Sequence, residues 1–227
     1  MTIKHTMKTI VRKQAPSETQ VVFILDNSGS MQTIQKSTIN GFNEYIQDLK
    51  KNKENNYKFS LTLFNTDLEL VHIAKDIKDV EELTVNTYRP NGMTALYDAV
   101  CTTVKKVEKK AKENQNTIVV IMTDGEENSS AEFDKRDMSS LIKKLEKTGK
   151  WSFVYMGANQ DAYQNAQAYG IRMDNAVNLS ATPTGMRSAF SNLSTATVMY
   201  ASTSGGSAVN NSSFFSTDAK NDIENSK

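Results

Sequence analysis

The chain has 227 residues, 27 of them basic and 26 acidic, for a net charge of +1. That length supports one sizeable core, an α/β domain of about 180 to 200 residues with extensions. The balanced charge supplies no global field for steering to nucleic acid or to an anionic membrane, so recognition must be local and both partner classes are excluded as expectations.

Residues 1–19 read as an N-terminal extension, with Lys4, His5, Lys8, Arg12 and Lys13 but no apolar run of signal-peptide length. No stretch of the sequence reaches transmembrane length. The expected location is therefore cytoplasmic. Gln20 to Leu25 is an apolar run that predicts a buried strand. It ends in Asp26-Asn27-Ser28-Gly29-Ser30, which places one carboxylate and two hydroxyls at i, i+2 and i+4. With no cysteine or histidine beside them, these hard oxygen donors point to magnesium, calcium or manganese rather than zinc or copper. Gly29 lets the loop turn sharply enough for both hydroxyls to face the strand end.

A helix is predicted from about Thr33 to Lys51, with Ile39, Phe42, Ile46 and Leu49 on one face. Two strands follow, Tyr57 to Asn65 and Leu68 to Lys75. A link of only Thr66 and Asp67 demands an antiparallel hairpin and makes the second strand an edge. A short helix near Ile77 to Leu83 leads to Asn91-Gly92-Met93-Thr94, where Thr94 can cap a helix or bind an ion. Leu96, Val100, Val104, Val107 and Ala111 trace the buried stripe of that helix, and the single cysteine, Cys101, lies on its apolar face as a small core residue.

Ile118 to Thr123 predicts the central strand, followed directly by Asp124 and a Gly125 turn. Glu126 and Glu127 read as a solvated acidic turn, with hydrogen bonding behind a metal site or lining of the partner surface as the alternatives. Asp134 to Thr148 is a helix stopped by Gly149, Trp151 to Gly157 a strand, Asp161 to Tyr169 a helix, and Ala176 to Leu179 a short last strand. Thr182-Pro183 opens a final helix with Met186, Phe190, Leu193 and Tyr200 inward, closing a domain over residues 20–202. Residues 203–227 are rich in Ser, Gly, Asn and Thr and read as a polar, flexible tail adding little to stability. The alternative is that Phe214 and Phe215 dock on the domain or on a partner.

The alternation of strand and helix periods argues for a doubly wound, mostly parallel sheet with helices on both faces and one antiparallel edge strand. Two aspartates and three hydroxyls, all at junctions between strands and helices, can converge on one cation. In this the chain resembles the von Willebrand factor type A (VWA) family, whose metal-ion-dependent adhesion site combines D-x-S-x-S, a downstream Thr and a downstream Asp-Gly. The resemblance carries over to Asp26, Ser28, Ser30, Thr94 and Asp124 as metal residues, with Met93 interrupting the family's usual Gly-Thr pair. It implies a Rossmann-like sheet of order 3-2-1-4-5-6, in which the first and fourth strands are neighbours whose carboxyl ends form the ligand crevice. Segments 157–162 and 214–218 are similar to bacterial and phage-encoded members of the family.

The family also implies a function. A Mg²⁺ ion, or Mn²⁺ or Ca²⁺, with few protein charges around it keeps an open position, and there a partner protein supplies an Asp or Glu. The expectation is a non-catalytic, metal-dependent interaction module within a bacterial or phage assembly. The alternative is a magnesium-dependent hydrolase of phosphate esters. Against it, Ser28 stands where an aspartyl phosphatase has its second carboxylate, and His5 and His72 lie far from the crevice. Oligomeric state is open.

Overall fold

The computed structural model describes residues 18–112, 115–158, 161–203 and 213–226. Most of the N-terminal extension, and Gly205-Gly206 of the tail, lie outside the described residues. The sheet strands are β1 (Glu18–Asp26), β2 (Asn56–Phe64), β3 (Leu68–Asp76), β4 (Asn116–Thr123), β5 (Trp151–Ala158) and β6 (Ala176–Leu179). The α-helices are α1 (Gln35–Lys51), α2 (Leu96–Glu108), α3 (Lys135–Glu146), α4 (Ala162–Ala168), α5 (Pro183–Ser202) and α6 (Thr217–Asn225).

The strand order is β3-β2-β1-β4-β5-β6. Every neighbouring pair is parallel except β2 and β3, which run antiparallel as their short link requires. Because side chains alternate across a strand, each central strand feeds two cores. Val21, Phe23 and Leu25 of β1, with Ile118, Val120 and Met122 of β4, face α1 and α5. Val22 and Ile24, with Val119 and Ile121, face α2 and α3. On the first side Phe23 meets Phe42 edge to face at 5.5 Å and stacks over Phe190 at 6.2 Å, so α1 and α5 are fixed against the strand that carries Asp26. This positions the site: β1 and β4 end side by side at the centre of the sheet.

Several boundaries differ from the sequence reading. β1 begins at Glu18, inside the predicted extension, and β4 begins at Asn116, two residues before the predicted start. Between β1 and α1 the chain makes a 3-10 segment, Gly29–Ile34, and the helix predicted near residue 77 is a single 3-10 turn, Ile77–Asp79. The largest difference is at the C-terminus. Composition predicts a loose tail, yet Thr217–Asn225 form α6, capped by the Ser216 hydroxyl accepting from Ala219 N–H. Phe215 (1% exposed) and Ile223 (0%) join the core on the α1 and α5 side. Two apolar anchors and a capped helix outweigh a polar average, so residues 213–226 follow the docking alternative.

Candidate metal centre

Asp26 is the last residue of β1 and is fully buried. Its Oδ1 accepts from the Ser28 backbone N–H at 2.6 Å, the turn that Asp-x-Ser permits. Its Oδ2 accepts from the Thr123 hydroxyl, on the neighbouring strand, at 2.5 Å. Ser28 Oγ and Ser30 Oγ lie 3.1 Å apart, and Ser30 Oγ donates to Asp124 Oδ1 at 2.5 Å. Four of the five predicted residues thus form one hydrogen-bonded chain across the ends of β1 and β4.

Thr94 joins them from a third loop. Gly92, at φ +73°, turns the chain so that Met93 projects outward (50% exposed) while Thr94 turns inward (3%). The residue that interrupts the Gly-Thr pair is therefore accommodated on the outside. The loop is tied down on both sides: Gly29 N–H donates to Gly92 O at 3.1 Å, Met93 N–H to Thr66 Oγ1 at 2.9 Å and Thr94 N–H to Asn128 Oδ1 at 2.8 Å. Thr94 is not the N-cap of α2; Ala95 is, and it makes no side-chain cap. The helix start is satisfied from the loop after Asp124, where Glu127 Oε2 accepts from Tyr97 N–H at 3.0 Å and Ser130 Oγ from Asp98 N–H at 3.2 Å.

Gly125 shows how closely the donors converge. A β-carbon built on it would stand 3.2 Å from Thr94 Oγ1, 3.5 Å from Ser30 Oγ and 4.0 Å from Asp26 Oδ2. The space in front of Gly125, on the loop after β4, is thus a cradle lined by oxygens from the other two loops. Among the described residues no three His, Cys, Asp or Glu side chains cluster, so a cation held here depends on the hydroxyls as well as on the two carboxylates. Such an all-oxygen set suits a hard cation.

The electrostatics point the same way. Burial pushes the Asp26 carboxyl up to about 6 against the opposing hydrogen bonds from Thr123 and Ser28, and nearby Asp124 adds repulsion. Burial also raises Asp124, against the bond from Ser30. Among the described residues no lysine or arginine acts on either carboxyl, so the ionised pair has no counter-charge from them.

Sequence reasoning missed most of the supports. Tyr88, fully buried, donates its hydroxyl to the Asp26 carbonyl at 2.7 Å, and Asn91 N–H donates to Asn27 O at 2.9 Å. Glu127 is no solvated turn residue: its carboxylate also accepts from Ser129 and Ser130 N–H, folding the loop that carries Gly125. Asp98 accepts from Ala131, Glu132 and Phe133 N–H, fastening the same loop to α2. For Glu127 this is the alternative role that its place after Asp124 allowed; Tyr88, Asn91 and Asp98 carry no local signal. Met31 and Met122 are buried beneath the loops, and Met93 alone of the three stands at the rim.

Comparison with solved structures gives the same fold. The von Willebrand factor domain of a type V pili tip protein from Porphyromonas gingivalis superposes with a TM-score of 0.60 at 10% identity, over 81% of this chain and 96% of that one. Manganese-loaded TRAP protein from Plasmodium vivax gives 0.54 at 18% identity, over 74% and 70%. Proximal thread matrix protein 1 from the mussel byssus gives 0.55 at 14% identity, over 78% of this chain but only 46% of its own length. At such identities the likeness is one of fold. No curated protein sequence matches the chain. The von Willebrand factor type A domain profile matches residues 20–191, three quarters of the chain, and the protein belongs to that family.

Proposed function

We propose that this protein is a non-catalytic interaction module that holds a divalent cation, Mg²⁺ or Mn²⁺ in the first place, among Asp26, Ser28, Ser30, Thr94 and Asp124. VWA domains are typically adhesion and protein-interaction modules, and the finer reading here rests on one observation. Oxygens of Asp26, Ser30 and Thr94 converge on the cradle at Gly125, Ser28 and Asp124 are joined to them through Ser30 Oγ, and among the described residues no lysine or arginine acts on the two carboxylates. A bound cation would supply that charge and an open position for an Asp or Glu of a partner protein. The manganese carried by the Plasmodium relative supports a metal on this fold.

The hydrolase alternative has less behind it. His72 lies on β3 with Nε2 3.2 Å from Glu81, away from the ends of β1 and β4, and His5 is outside the described residues. Among the described residues, Asp26 and Asp124 accept from the Ser28 N–H and from the Ser30 and Thr123 hydroxyls, with no base among these partners. We place the protein in the cytoplasm of a bacterium or in a phage-encoded system, as an assembly or scaffold component. No helix among the described residues is long and apolar enough to cross a membrane.

Affinity capture from the host with Mg²⁺, with EDTA and with Mg²⁺ restored tests the reading. The expected partner is lost with EDTA, returns with Mg²⁺, and is lost when one of its acidic residues is changed to Ala. Capture indifferent to EDTA would assign binding to another face, and Mg²⁺-dependent turnover of a phosphate ester, abolished in Asp26→Asn, would establish the hydrolase.

A further inference from the structure

The Thr123 hydroxyl has one proton and two acceptors in reach, Asp26 Oδ2 at 2.5 Å and the Gly125 carbonyl at 3.1 Å. The carboxylate is nearer and charged, so it takes the proton. The same hydroxyl oxygen accepts from Gly125 N–H at 3.1 Å. One buried side chain therefore fastens the carboxylate at the end of β1 to the turn that follows Asp124. The other oxygen of Asp26 is held from the opposite side by Ser28 N–H at 2.6 Å. Both oxygens of Asp26 are committed, and the carboxylate cannot swing without giving up a hydrogen bond in a buried place.

We propose that Thr123 is a positioning residue of the metal centre, holding Asp26 so that it can offer a cation one oxygen but not two, and thereby biasing the site toward Mg²⁺ over Ca²⁺. The inference rests on the metal-centre reading above. Its physical basis is the different tolerance of the two ions. Mg²⁺ demands near-ideal octahedral geometry, whereas Ca²⁺ accepts bidentate carboxylates and irregular shells. Freeing Oδ2 lets the carboxylate rotate, which harms the demanding ion and leaves the tolerant one nearly untouched. A residue that merely stabilised the fold would weaken both ions alike.

The test is calorimetric titration of the full chain with Mg²⁺ and separately with Ca²⁺, for the wild type, Thr123→Val and Thr123→Ser. Valine keeps the branched shape in the buried end of β4 and removes the hydroxyl; serine keeps the hydroxyl. Thr123→Val should lose about 10-fold or more in Mg²⁺ affinity, as is usual when a group orienting a metal ligand is removed, and under about 3-fold in Ca²⁺ affinity. Thr123→Ser should restore the wild-type ratio. An unchanged Mg²⁺/Ca²⁺ ratio in Thr123→Val overturns the proposal while leaving the metal centre standing, and so does a serine variant that fails to hold the ratio should valine not fold. A wild-type chain that binds neither ion refutes the metal centre itself and the role of Thr123 with it.

Discussion

Ser30 Oγ donates to Asp124 Oδ1 at 2.5 Å, joining residues 94 positions apart and tying the loop after β1 to the loop after β4. The contact shows that the D-x-S-x-S segment and the downstream Asp-Gly are one site, and it orders the effects of substitutions there. Asp26→Asn and Asp124→Ala should each abolish Mg²⁺ binding in a calorimetric titration, since each removes one of two charges facing the ion. Ser28→Ala should cost only about 10-fold, because water can replace a neutral ligand. Metal-free Asp26→Asn should be at least as stable as the wild type, because the buried charge is gone and its acceptor oxygen remains. Titrations with undiminished Mg²⁺ affinity in both Asp variants would remove the site from consideration.

Gly125→Ala asks whether the cradle itself matters. The new methyl would stand 3.2 Å from Thr94 Oγ1 and 3.5 Å from Ser30 Oγ, tight contacts that small shifts of side chains can relieve. Stability in EDTA should therefore change by less than about 1 kcal/mol, whereas Mg²⁺ affinity should fall at least about 10-fold as the methyl takes up the space between the donors. Wild-type affinity in this variant would show that a cation sits elsewhere.

The pH dependence has a definite sign. Asp26 holds its proton up to about 6 in the folded chain, above the ordinary 3.8, so between those values the folded state binds more protons than the unfolded one. Metal-free stability owed to this group is present at low pH and declines as pH rises from about 4 to about 6, by up to about 3 kcal/mol. Asp124, also raised, adds to the same slope. Exposed Asp76 and Asp222 are shifted downward and oppose it, so the quantity to measure is the difference between wild type and Asp26→Asn in urea midpoints at pH 4, 5, 6 and 7 in EDTA. Mg²⁺ should stabilise the wild type increasingly over the same range. A wild-type deficit that shrinks with rising pH would reverse the assignment.

The sheet and the five candidate ligands were legible because their signals are local. Apolar runs such as Val21–Leu25 and Ile118–Met122 can only be buried strands, the short link after β2 forces the antiparallel edge, and ligand spacing is set within one turn. The supports were not legible because their partners are distant. Tyr88 meets the Asp26 carbonyl 62 positions away, and Thr123 meets the Asp26 carboxylate 97 away. Of the two roles open to Thr94 in the sequence, capping falls away for a related reason: Glu127 and Ser130 take over the start of α2 from another loop, which leaves the Thr94 hydroxyl out of that task. At the C-terminus, average composition hid the anchor Ile223 and left Phe215 as the docking alternative only.

That anchor gives the last prediction. Ile223 is fully buried against the core shared with α1 and α5, and polar contacts hold α6 on both sides of it. Asp222 accepts from Ser188 Oγ at 2.6 Å and Asn192 Nδ2 at 2.7 Å on α5, while Glu224 accepts from the Tyr163 hydroxyl and, at 3.2 Å, from Asn178 N–H on the edge strand β6. The segment therefore covers apolar surface and satisfies a strand-edge amide together, so its loss should be felt by the whole domain. Ile223→Ala should cost about 2 to 5 kcal/mol, as for other large-to-small changes in a packed core. Exposed Asn221→Ala, on the same helix, should stay within about 0.5 kcal/mol. Urea denaturation of both variants measures the contrast. Equal midpoints would mean that α6 spends its time off the domain, and the composition-based reading of a loose tail would then stand.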